Sequence, residues 1–374
     1  MPEPTKLLRV CFTGGGTGGH VFPAFAVDEF LSAQSRRGEF RYERFWIGSR
    51  DERERRWIEE AGFRHVAIST GKLRRYVSLR NITDLFGIVA GFFQSLAILR
   101  RERPDILFSK GGFVSVPPVL AAWMLRIPSI THESDATAGL ATRINARCAL
   151  HTCIPFPEAA ASYPRRLQGH LVVTGVPSRL SRKGCDANRA RAKFALTEDK
   201  PVVVVLGGSQ GALQINELVW DQLDQLLRFA QVVHQTGPAT YRTIEKRGYR
   251  CVPFIGEELG DLLSAATLVV SRAGATALAD FMEMEVAMLL IPLGLGASRG
   301  DQIENARRLE RYGAAWVLDG NTVEQGTFTD AVRKLSSHAI VRNELVSRAK
   351  ALHAADAAER IAHLICSSAR VRRD

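Results

Sequence analysis

The sequence predicts an α/β protein built from two Rossmann-like domains that face each other across a cleft. Short apolar runs of the kind that form strands alternate with longer helical patterns along the chain, which is typical of parallel sheets covered by helices. The opening unit of strand, glycine loop and helix occurs twice, at LLRVCFTGGGTGGH and at PVVVVLGGSQGAL. At 374 residues the chain is also long for a single core, so two domains with a ligand cleft between them are expected.

Short runs rich in β-branched and aromatic residues predict the strands. In the first half they cover residues 7–12, 43–48, 65–69, 105–109, 128–132, 150–154 and 170–174. In the second half they cover residues 201–206, 231–235, 250–254, 267–271, 287–292 and 314–318. Helical patterns over about 22–36 and 215–229 follow the first strand of each half.

The same patterns predict the domain boundaries. Residues from about 160 to 190 contain the turn-forming and basic residues of a connector, and the helical pattern at 340–368 has no strand after it. We therefore expect a first domain over 1–165 and a second over 166–344. A terminal helix over about 345–374 can pack back on the first domain.

The composition is that of a globular enzyme with an anionic partner. Apolar residues make up 46% and charged residues 24% of the chain, which are ordinary values. The net charge of +11 predicts attraction to nucleic acid, an acidic lipid surface or phosphorylated small molecules. The six cysteines lack C-x-x-C spacing, which argues against a zinc site or a redox dithiol. The N-terminus lacks the pattern of a signal peptide.

The first glycine loop matches the dinucleotide fingerprint only in part. Gly14, Gly16 and Gly19 satisfy G-x-G-x-x-G between a strand and a helix, where backbone N–H groups and the helix dipole favour an anion. A dinucleotide site also needs an acidic residue at the end of the second strand to bind the ribose. That strand ends in Gly48 and Ser49, so a nicotinamide or flavin site would lack its acidic ribose-binding residue.

Polar residues after two first-half strands are candidates for chemistry. His20 follows the glycine loop and can accept a proton near neutral pH; alternatively, it caps the helix or bonds a backbone carbonyl. His132 and Glu133 suggest zinc, but residue 136 is Ala where the zinc-protease pattern needs histidine. Glu133 and Asp135 therefore stay as candidates to bind a polar substrate or to cap a helix.

The second half offers another anion site. In LVVSRAGATALAD, residues 268–280, a strand leads into a helix whose first N–H groups, at 275–277, would face an anion. Asp280 could accept bonds from ribose hydroxyls, and Arg272 is either a further cation at the site or a structural ion-pair partner. Gln302, in the polar loop that enters the next helix, could bind a sugar or be a surface amide.

The apolar segment 85–99 has two interpretations. It is free of charged residues but shorter than the about 20 residues of a membrane span, and arginines flank it on both sides. It is either a core helix or a helix whose apolar face rests on a bilayer with the arginines on anionic headgroups.

Several motifs together resemble the MurG family of glycosyltransferases. They are GGTGGHVFPAFAV, SKGGFVSVPPVLAAWMLRIPSITHESDATAGLATR, VTGVPSR, GGSQGALQIN, HQTG, SRAGAT and ASRGDQIENA, in the family's order over roughly residues 8 to 318. The resemblance implies an inverting transferase of the GT-B arrangement that needs no metal or other cofactor. Such enzymes move N-acetylglucosamine from UDP-N-acetylglucosamine to the C4 hydroxyl of the muramoyl sugar of lipid I, giving lipid II and UDP for peptidoglycan synthesis.

The resemblance also implies roles for individual positions. His20 is the candidate base, and Thr17, Gly18 and Gly19 approach the donor sugar or the acceptor diphosphate. Apart from the resemblance, the pattern after the 128–132 strand keeps Glu133 as a second candidate catalytic residue. Further donor contacts fall on Asp135, Arg179, Ser209 (diphosphate), Ile255 (uracil), Ala275, Thr276, Ala277, Leu278, Ala279, Asp280 (ribose and diphosphate) and Gln302 (sugar). Arg272 is a further candidate for substrate binding from the strand-to-helix pattern. The chain departs from the common family pattern at Phe113, Asp135, Asp280 and Asp301.

The lipid-linked acceptor makes a membrane surface an expected partner. The resemblance favours peripheral docking on the cytoplasmic face of the membrane through the 85–99 segment and its basic flank. The candidate residues are Leu85, Phe86, Phe92, Phe93, Arg74, Arg75 and Arg80. Proteins of cell-wall synthesis are possible further partners. Nucleic acid is not expected, because the basic residues are not interleaved with aromatic ones.

The sequence is also compatible with two other enzyme classes. A UDP-sugar transferase acting on another lipid acceptor, such as diacylglycerol, shares the architecture, although HVFPA and GGFVSVPP favour the muramoyl acceptor. A dinucleotide-dependent oxidoreductase leaves the second glycine loop unexplained.

Overall fold

The computed structural model describes residues 7–71, 80–294 and 300–370. The chain forms two compact units, of which the first comprises Met1–Arg179 with Ala354–Asp374 and the second Leu180–His353. The first boundary lies later than the predicted 165 because the strand Leu171–Val173 pairs with the first sheet. The second lies later than 344 because the helix Ala339–Leu352 packs within the second unit.

The described residues of the first unit form a seven-stranded parallel sheet. Its strands are β1 (Leu7–Thr13), β2 (Arg41–Gly48), β3 (Arg64–Ala67), β4 (Ile106–Ser109), β5 (Ser129–His132), β6 (His151–Ile154) and β7 (Leu171–Val173). Their order is β3-β2-β1-β4-β5-β6-β7, and every pair is parallel. The predicted strands of the first half are confirmed, because apolar runs covered on both faces give a strong local signal.

Helices cover this sheet. They are α1 (Phe22–Arg36), α2 (Glu52–Glu60), α3 (Arg80–Glu102), α4 (Val116–Met124) and α5 (Leu140–Asn145). Helix α2 begins where the Asp51 carboxylate accepts the backbone N–H groups of Arg53 and Glu54, a side-chain N-cap. Of the helices in the described part of the chain, none combines the length and apolarity that crossing a membrane requires.

The described residues of the second unit form a six-stranded parallel sheet. Its strands are β8 (Val202–Leu206), β9 (Gln231–Gln235), β10 (Tyr249–Val252), β11 (Leu268–Ser271), β12 (Met288–Leu290) and β13 (Trp316–Val317). Their order is β10-β9-β8-β11-β12-β13, which repeats the plan of the first unit and confirms two Rossmann-like α/β domains.

The helices of the second unit surround this sheet. They are α6 (Ala187–Phe194), α7 (Leu213–Asp221), α8 (Leu223–Phe229), α9 (Leu259–Ala265), α10 (Ala275–Glu283), α11 (Asp301–Arg311), α12 (Gln325–Ser337) and α13 (Ala339–Leu352). The single helix predicted over 215–229 is two helices, because Gln222 leaves the helical conformation between α7 and α8, with ψ at 7°.

The last helix, α14 (Ala357–Arg370), returns to the first unit and packs along α1. Its Ile361, Ala362 and Ile365 are fully buried in the same core cluster as Val10 and Leu31. The predicted terminal helix is therefore two helices in different units, because the chain leaves the helical conformation at 353–356.

A buried histidine network lies in the second unit. The ring nitrogens of His234 on β9 lie 2.9 Å from Tyr249 Oη and 3.0 Å from Asn216 Oδ1. Burial lowers the pKa of His234 to about 3, because the charged ring would lose its hydration. The Asn216 amide also donates to the Thr236 carbonyl and the Thr240 hydroxyl, both at 2.9 Å. The network therefore fixes the loop that follows β9.

We expect the protein to lose stability as the pH falls from about 6.5 towards 3. A histidine in the unfolded chain titrates near 6.5, so unfolding allows a proton uptake that the folded state of His234 disfavours, and acid promotes unfolding. In urea titrations over this window, the free energy of unfolding should fall more steeply for the wild type than for His234→Gln, by up to about 1.4 kcal/mol per pH unit. Equal slopes would contradict this account.

Candidate active site

Two glycine segments meet at the carboxyl edge of the first sheet. β1 and β4 are neighbours in the sheet although they are not consecutive in the chain, and their last residues, Thr13 and Ser109, are paired. The glycine loop 14–19 follows β1, and Gly111–Gly112 follows β4 after one residue. Open α/β sheets bind their ligands at such a switch point, so this edge is the candidate site of the first unit.

Gly112 allows the two segments to pack backbone against backbone. Its φ of 77° disfavours other residues, and a Cβ there would lie 2.5 Å from the Gly15 carbonyl oxygen and 2.9 Å from His20 Cδ2. Only glycine fits such an approach. The His20 ring therefore lies directly on the backbone of the second glycine segment.

His20 lies in a short 3₁₀ turn, Gly18–His20, at the end of the glycine loop. Its backbone N–H donates to the Thr17 carbonyl at 3.0 Å, and its ring is half-buried. Helix α1 begins at Phe22 with Val21 as its N-cap, so His20 does not occupy the capping position. The neighbouring Gly16 and Thr17 are exposed, which opens the loop beside the imidazole to a substrate.

Glu54 holds the glycine loop and was missed by sequence reasoning. It is 3% exposed, and its carboxylate accepts the N–H of Gly16 at 2.9 Å, the N–H of Ser49 at 2.7 Å and the hydroxyl of Ser49 at 2.9 Å. Burial raises the pKa of Glu54, and these hydrogen bonds oppose that rise. The motif Asp51-x-x-Glu54 signals a helix start, but nothing local signals the contact with Gly16.

The engaged N–H of Gly16 weighs against a dinucleotide in this loop. A glycine loop before a helix binds pyrophosphate through free backbone N–H groups. In this protein a carboxylate from the same chain already accepts the N–H of Gly16. The sequence therefore contains the fingerprint, but one of the N–H groups that could bind an anion already donates to Glu54.

Glu133 holds the loop after β5 in a similar way. Its carboxylate accepts the N–H groups of Ser134 at 2.9 Å, Asp135 at 3.2 Å and Gly139 at 3.0 Å, and the residue is 5% exposed. Of the two interpretations of Glu133, backbone capping matches this geometry. Asp135 is half-buried in the loop that Glu133 shapes.

Lys110 is a second residue that sequence reasoning missed. It lies between the strand β4 and the second glycine segment, is 1% exposed, and donates from Nζ to the Ser134 hydroxyl at 2.8 Å. Burial lowers the pKa of Lys110 to about 8, and the nearby carboxylates of Glu133 and Asp135 oppose the shift. Lys110 therefore ties the β4 loop to the β5 loop.

Arg179 and Phe113 also lie beside the first glycine loop. The Arg179 guanidinium lies 4.8 Å from the centre of the Phe22 ring, which also covers Gly18. The Phe113 ring covers Gly16, where a Cβ would lie 2.6 Å from Phe113 Cε1. The structure thus brings the predicted residues Thr17, Gly18, Gly19, His20, Glu133, Asp135 and Arg179 to the first unit.

The second unit has its own switch point, between β8 and β11. The loop 207–211 after β8 carries the half-buried Ser209. After β11, Gly274 is the N-cap of α10, and a Cβ added there would meet no atom within 4 Å. The following residues 275–277 are half-buried, and the first N–H groups of a helix lack intrahelical partners. This helix start is therefore accessible to an anion.

The predicted donor contacts further along α10 lie deeper. Leu278 is 5% exposed and Ala279 1% exposed, and the N–H of Leu278 donates to the Gly274 carbonyl at 3.0 Å. Both residues are buried instead of lining the helix start, and Leu278 packs in the core of the second unit. Asp280 is likewise buried.

Three other predicted donor residues are held by hydrogen bonds. Arg272 donates from Nη1 to Gln214 Oε1 and to the Ile291 carbonyl, both at 2.9 Å, and burial lowers its pKa. Gln302 accepts the N–H of Leu293 at 2.9 Å. The side chain of Ile255 is 1% exposed and its N–H donates to Gln235 at 2.8 Å. Each residue thus supports the loops of the second site.

The predicted docking segment forms most of α3, and its apolar residues divide between core and surface. Leu85, Phe86, Val89 and Phe93 are 46–72% exposed, and they define the apolar face of α3. Phe92 instead packs, half-buried, against the core cluster that contains Leu96 and Leu99. Arg74 and Arg75 lie outside the described residues, as does the side chain of Arg80. Trp123 and Met124, which end α4, are also exposed.

Comparison with known proteins gives matches to both halves of the chain. The glycosyltransferase family 28 N-terminal domain matches residues 10–154, and the family 28 C-terminal domain matches residues 202–361. A protein of Treponema pallidum (strain Nichols) is 41% identical over 350 residues, which cover 91% of this chain and 90% of that protein. It is named UDP-N-acetylglucosamine–N-acetylmuramyl-(pentapeptide) pyrophosphoryl-undecaprenol N-acetylglucosamine transferase.

A second relative and a solved structure extend the comparison. The transferase of the same name from Staphylococcus carnosus (strain TM300) is 40% identical over 338 residues, 89% of this chain and 90% of that protein. The crystal structure of Acinetobacter baumannii MurG superposes with a TM-score of 0.72 at 24% identity, covering 97% of this chain and 99% of the other, and so shares the fold. The chain therefore belongs to the MurG family, within glycosyltransferase family 28.

Proposed function

We propose that this protein transfers N-acetylglucosamine from UDP-N-acetylglucosamine to the C4 hydroxyl of the muramoyl sugar of lipid I. The products are lipid II and UDP, and the reaction is a step of peptidoglycan synthesis. The observation that carries the proposal is the 41% identity, over 91% of the chain, to a transferase whose name gives this donor and acceptor. Incubation with labelled UDP-N-acetylglucosamine and lipid I, followed by detection of labelled lipid II, tests it.

On the acceptor side, His20 is the proposed base. Inversion takes a single displacement, in which a base removes the proton of the attacking hydroxyl as the bond to the anomeric carbon forms. His20 fits because its ring lies on the second glycine segment beside the exposed Gly16 and Thr17. Thr17, Gly18 and Gly19 would line the path of the acceptor.

Glu133 has a positioning role in this proposal. Its two carboxylate oxygens accept three backbone N–H groups, so the side chain is engaged with the loop of its own chain. It shapes the loop of Asp135, which together with Arg179 is a proposed substrate contact.

On the donor side, the start of α10 would stabilise the leaving diphosphate. The N–H groups of Ala275, Thr276 and Ala277 and the positive end of the helix dipole favour the charge that develops on UDP. Ser209 is the proposed second diphosphate contact. Asp280 would bind the ribose, Gln302 the sugar and the Ile255 backbone the uracil. Arg272 adds a positive charge at the end of β11 and fixes Gln214.

The apolar face of α3 is the proposed membrane-docking surface. Leu85, Phe86, Val89 and Phe93 expose apolar side chains along one helix, and Arg100, Arg101 and Arg103 follow them. Apolar insertion together with basic residues on anionic headgroups is how a peripheral protein holds a bilayer. The protein would thus act on the cytoplasmic membrane face, where cell-wall synthesis proteins are possible partners.

Replacing His20 should stop the chemistry and leave donor binding intact. We expect His20→Ala to lower kcat for lipid II formation by roughly 10²–10⁴-fold, the usual contribution of a general base. The KM for UDP-N-acetylglucosamine should stay within about twofold, because a base acts on the chemical step rather than on ground-state binding. His170→Ala, at an exposed histidine of the same unit, is the matched control. Wild-type turnover by His20→Ala would exclude His20 as the base.

A methyl group at Gly274 should obstruct the donor. The open space around Gly274 and its φ of −72° allow alanine without strain, so Gly274→Ala should keep the wild-type Tm. The added methyl would stand at the start of α10, and we expect the KM for UDP-N-acetylglucosamine to rise about tenfold or more. Gly326→Ala, which also enters open space, should change neither quantity. An unchanged KM for UDP-N-acetylglucosamine in Gly274→Ala would show that the diphosphate does not bind at this helix start.

Polar substitutions on the apolar face of α3 should detach the protein from membranes. Burying one phenylalanine side chain contributes about 1.5–3 kcal/mol, so Phe86→Ser with Phe93→Ser should weaken binding to anionic vesicles by at least roughly tenfold. Activity on lipid I in vesicles should fall, while activity on a water-soluble acceptor stays. Ile340→Ser removes a 77% exposed residue of the second unit and is the control. Unchanged vesicle binding by the double variant would refute this docking surface.

A further inference from the structure

The Glu54 carboxylate lies in a pocket of backbone donors. Two loops supply them: Gly16 N–H comes from the loop after β1, and Ser49 N–H and hydroxyl come from the segment after β2. A Cβ added at Gly48 would lie 2.7 Å from Glu54 Oε1, and one at Gly15 would overlap the carboxylate. Backbone from both strand ends therefore encloses the charged group.

Such an arrangement of N–H groups is an anion-binding site. The backbone N–H groups of Gly16 and Ser49 come from two different loops and converge on one position, where a negative group is favoured. In this protein the anion is a side chain of the same chain, supplied from the first turn of α2. An acceptor fits this position, because the buried N–H and hydroxyl of Ser49 would otherwise lack a partner.

We propose that Glu54 is a positioning residue for the transfer reaction, whose carboxylate replaces a bound anion in the glycine loop and so fixes residues 17–20 for the acceptor. The inference rests on the proposed function, because it takes these loop residues to be the acceptor side of the site. It does not place Glu54 in contact with substrate, since Glu54 is 3% exposed.

The loop is otherwise held by packing against Gly112, Phe113 and Phe22 and by the Trp46 indole N–H, which donates to the Gly14 carbonyl at 3.2 Å. Five of its six residues from Gly14 to Gly19 are glycine, and glycine has the largest conformational freedom of all residues. Gly16 has a φ of 89° and is exposed. The hydrogen bond from Gly16 to Glu54 therefore adds a polar restraint to the stretch that leads to His20.

Chemical rescue tests the proposal directly. Glu54→Ala removes the carboxylate and leaves a space between the same donors, which formate can occupy. We expect Glu54→Ala to form lipid II with kcat lowered roughly tenfold or more, the effect of leaving buried donors unpaired near the site. Millimolar sodium formate should restore several-fold activity, whereas sodium chloride of the same concentration should not. The KM for UDP-N-acetylglucosamine should stay at the wild-type value.

Other variants separate positioning from general destabilisation. Glu54→Gln keeps the volume but turns an NH₂ group towards a donor, so it should lose activity without rescue by formate. Glu54→Asp keeps the charge on a shorter stem and should lie between Ala and wild type. Glu52→Ala, at an exposed position of the same helix turn, is the control and should behave as wild type. Wild-type kcat in Glu54→Ala, or a loss that formate and chloride affect equally, would overturn the proposal.

Amide hydrogen exchange gives a measurement that does not depend on the reaction. In Glu54→Ala the peptide covering residues 14–20 should exchange faster than in the wild type, and formate should slow it again. If Glu54→Ala does not fold, Glu54→Gln is compared with the wild type instead. We expect this peptide to exchange faster in Glu54→Gln, and unchanged exchange would overturn the proposal. A wild-type protein that makes no lipid II would refute the proposed function alone, because the exchange result still tests the loop.

Discussion

Buried carboxylates that accept backbone N–H groups hold the loops at the carboxyl edge of the first sheet. Glu54 does so for the glycine loop after β1, and Glu133 for the loop after β5. Loops of this kind have little side-chain packing of their own, so their buried donors need such partners. Glu54 meets the loop that leads to His20, and Glu133 meets the loop that carries Asp135. Lys110 links the loop after β4 to the loop after β5 through Ser134.

The two units use the same topology for different tasks. Both place a glycine loop and a helix start at a switch point of a parallel sheet. In the first unit an internal carboxylate takes up the N–H of Gly16, whereas in the second unit the start of α10 at Gly274 opens to empty space. An external anion is therefore better accommodated in the second unit. In the first unit the exposed Gly16 and Thr17 form the surface beside His20, with Arg179 stacked on Phe22 nearby.

The sequence was sufficient for the strands and the switch points, because apolar runs and glycine loops are local signals. It was also sufficient for the family, because motifs such as HESD and SRAGAT keep their order. What it could not predict depends on contacts between distant segments. Glu54 bonds Gly16 from 38 positions away, and Lys110 bonds Ser134 from 24. The sequence also did not show which side of a helix is buried. Phe92 and Leu278 lie in segments predicted to bind a membrane or the donor, but both pack towards the core.

The return of α14 to the first unit has a consequence for how the protein is made. The core of the first unit includes Ile361, Ala362 and Ile365, which the ribosome adds only after the whole second unit. The second unit is continuous in sequence, so it can complete its core during translation. Until these residues are synthesised, the apolar residues of the first unit that they cover stay unburied. In newly made chains the first unit, although synthesised first, is therefore the last to complete its core. Chaperones and proteases would act on the protein at that stage.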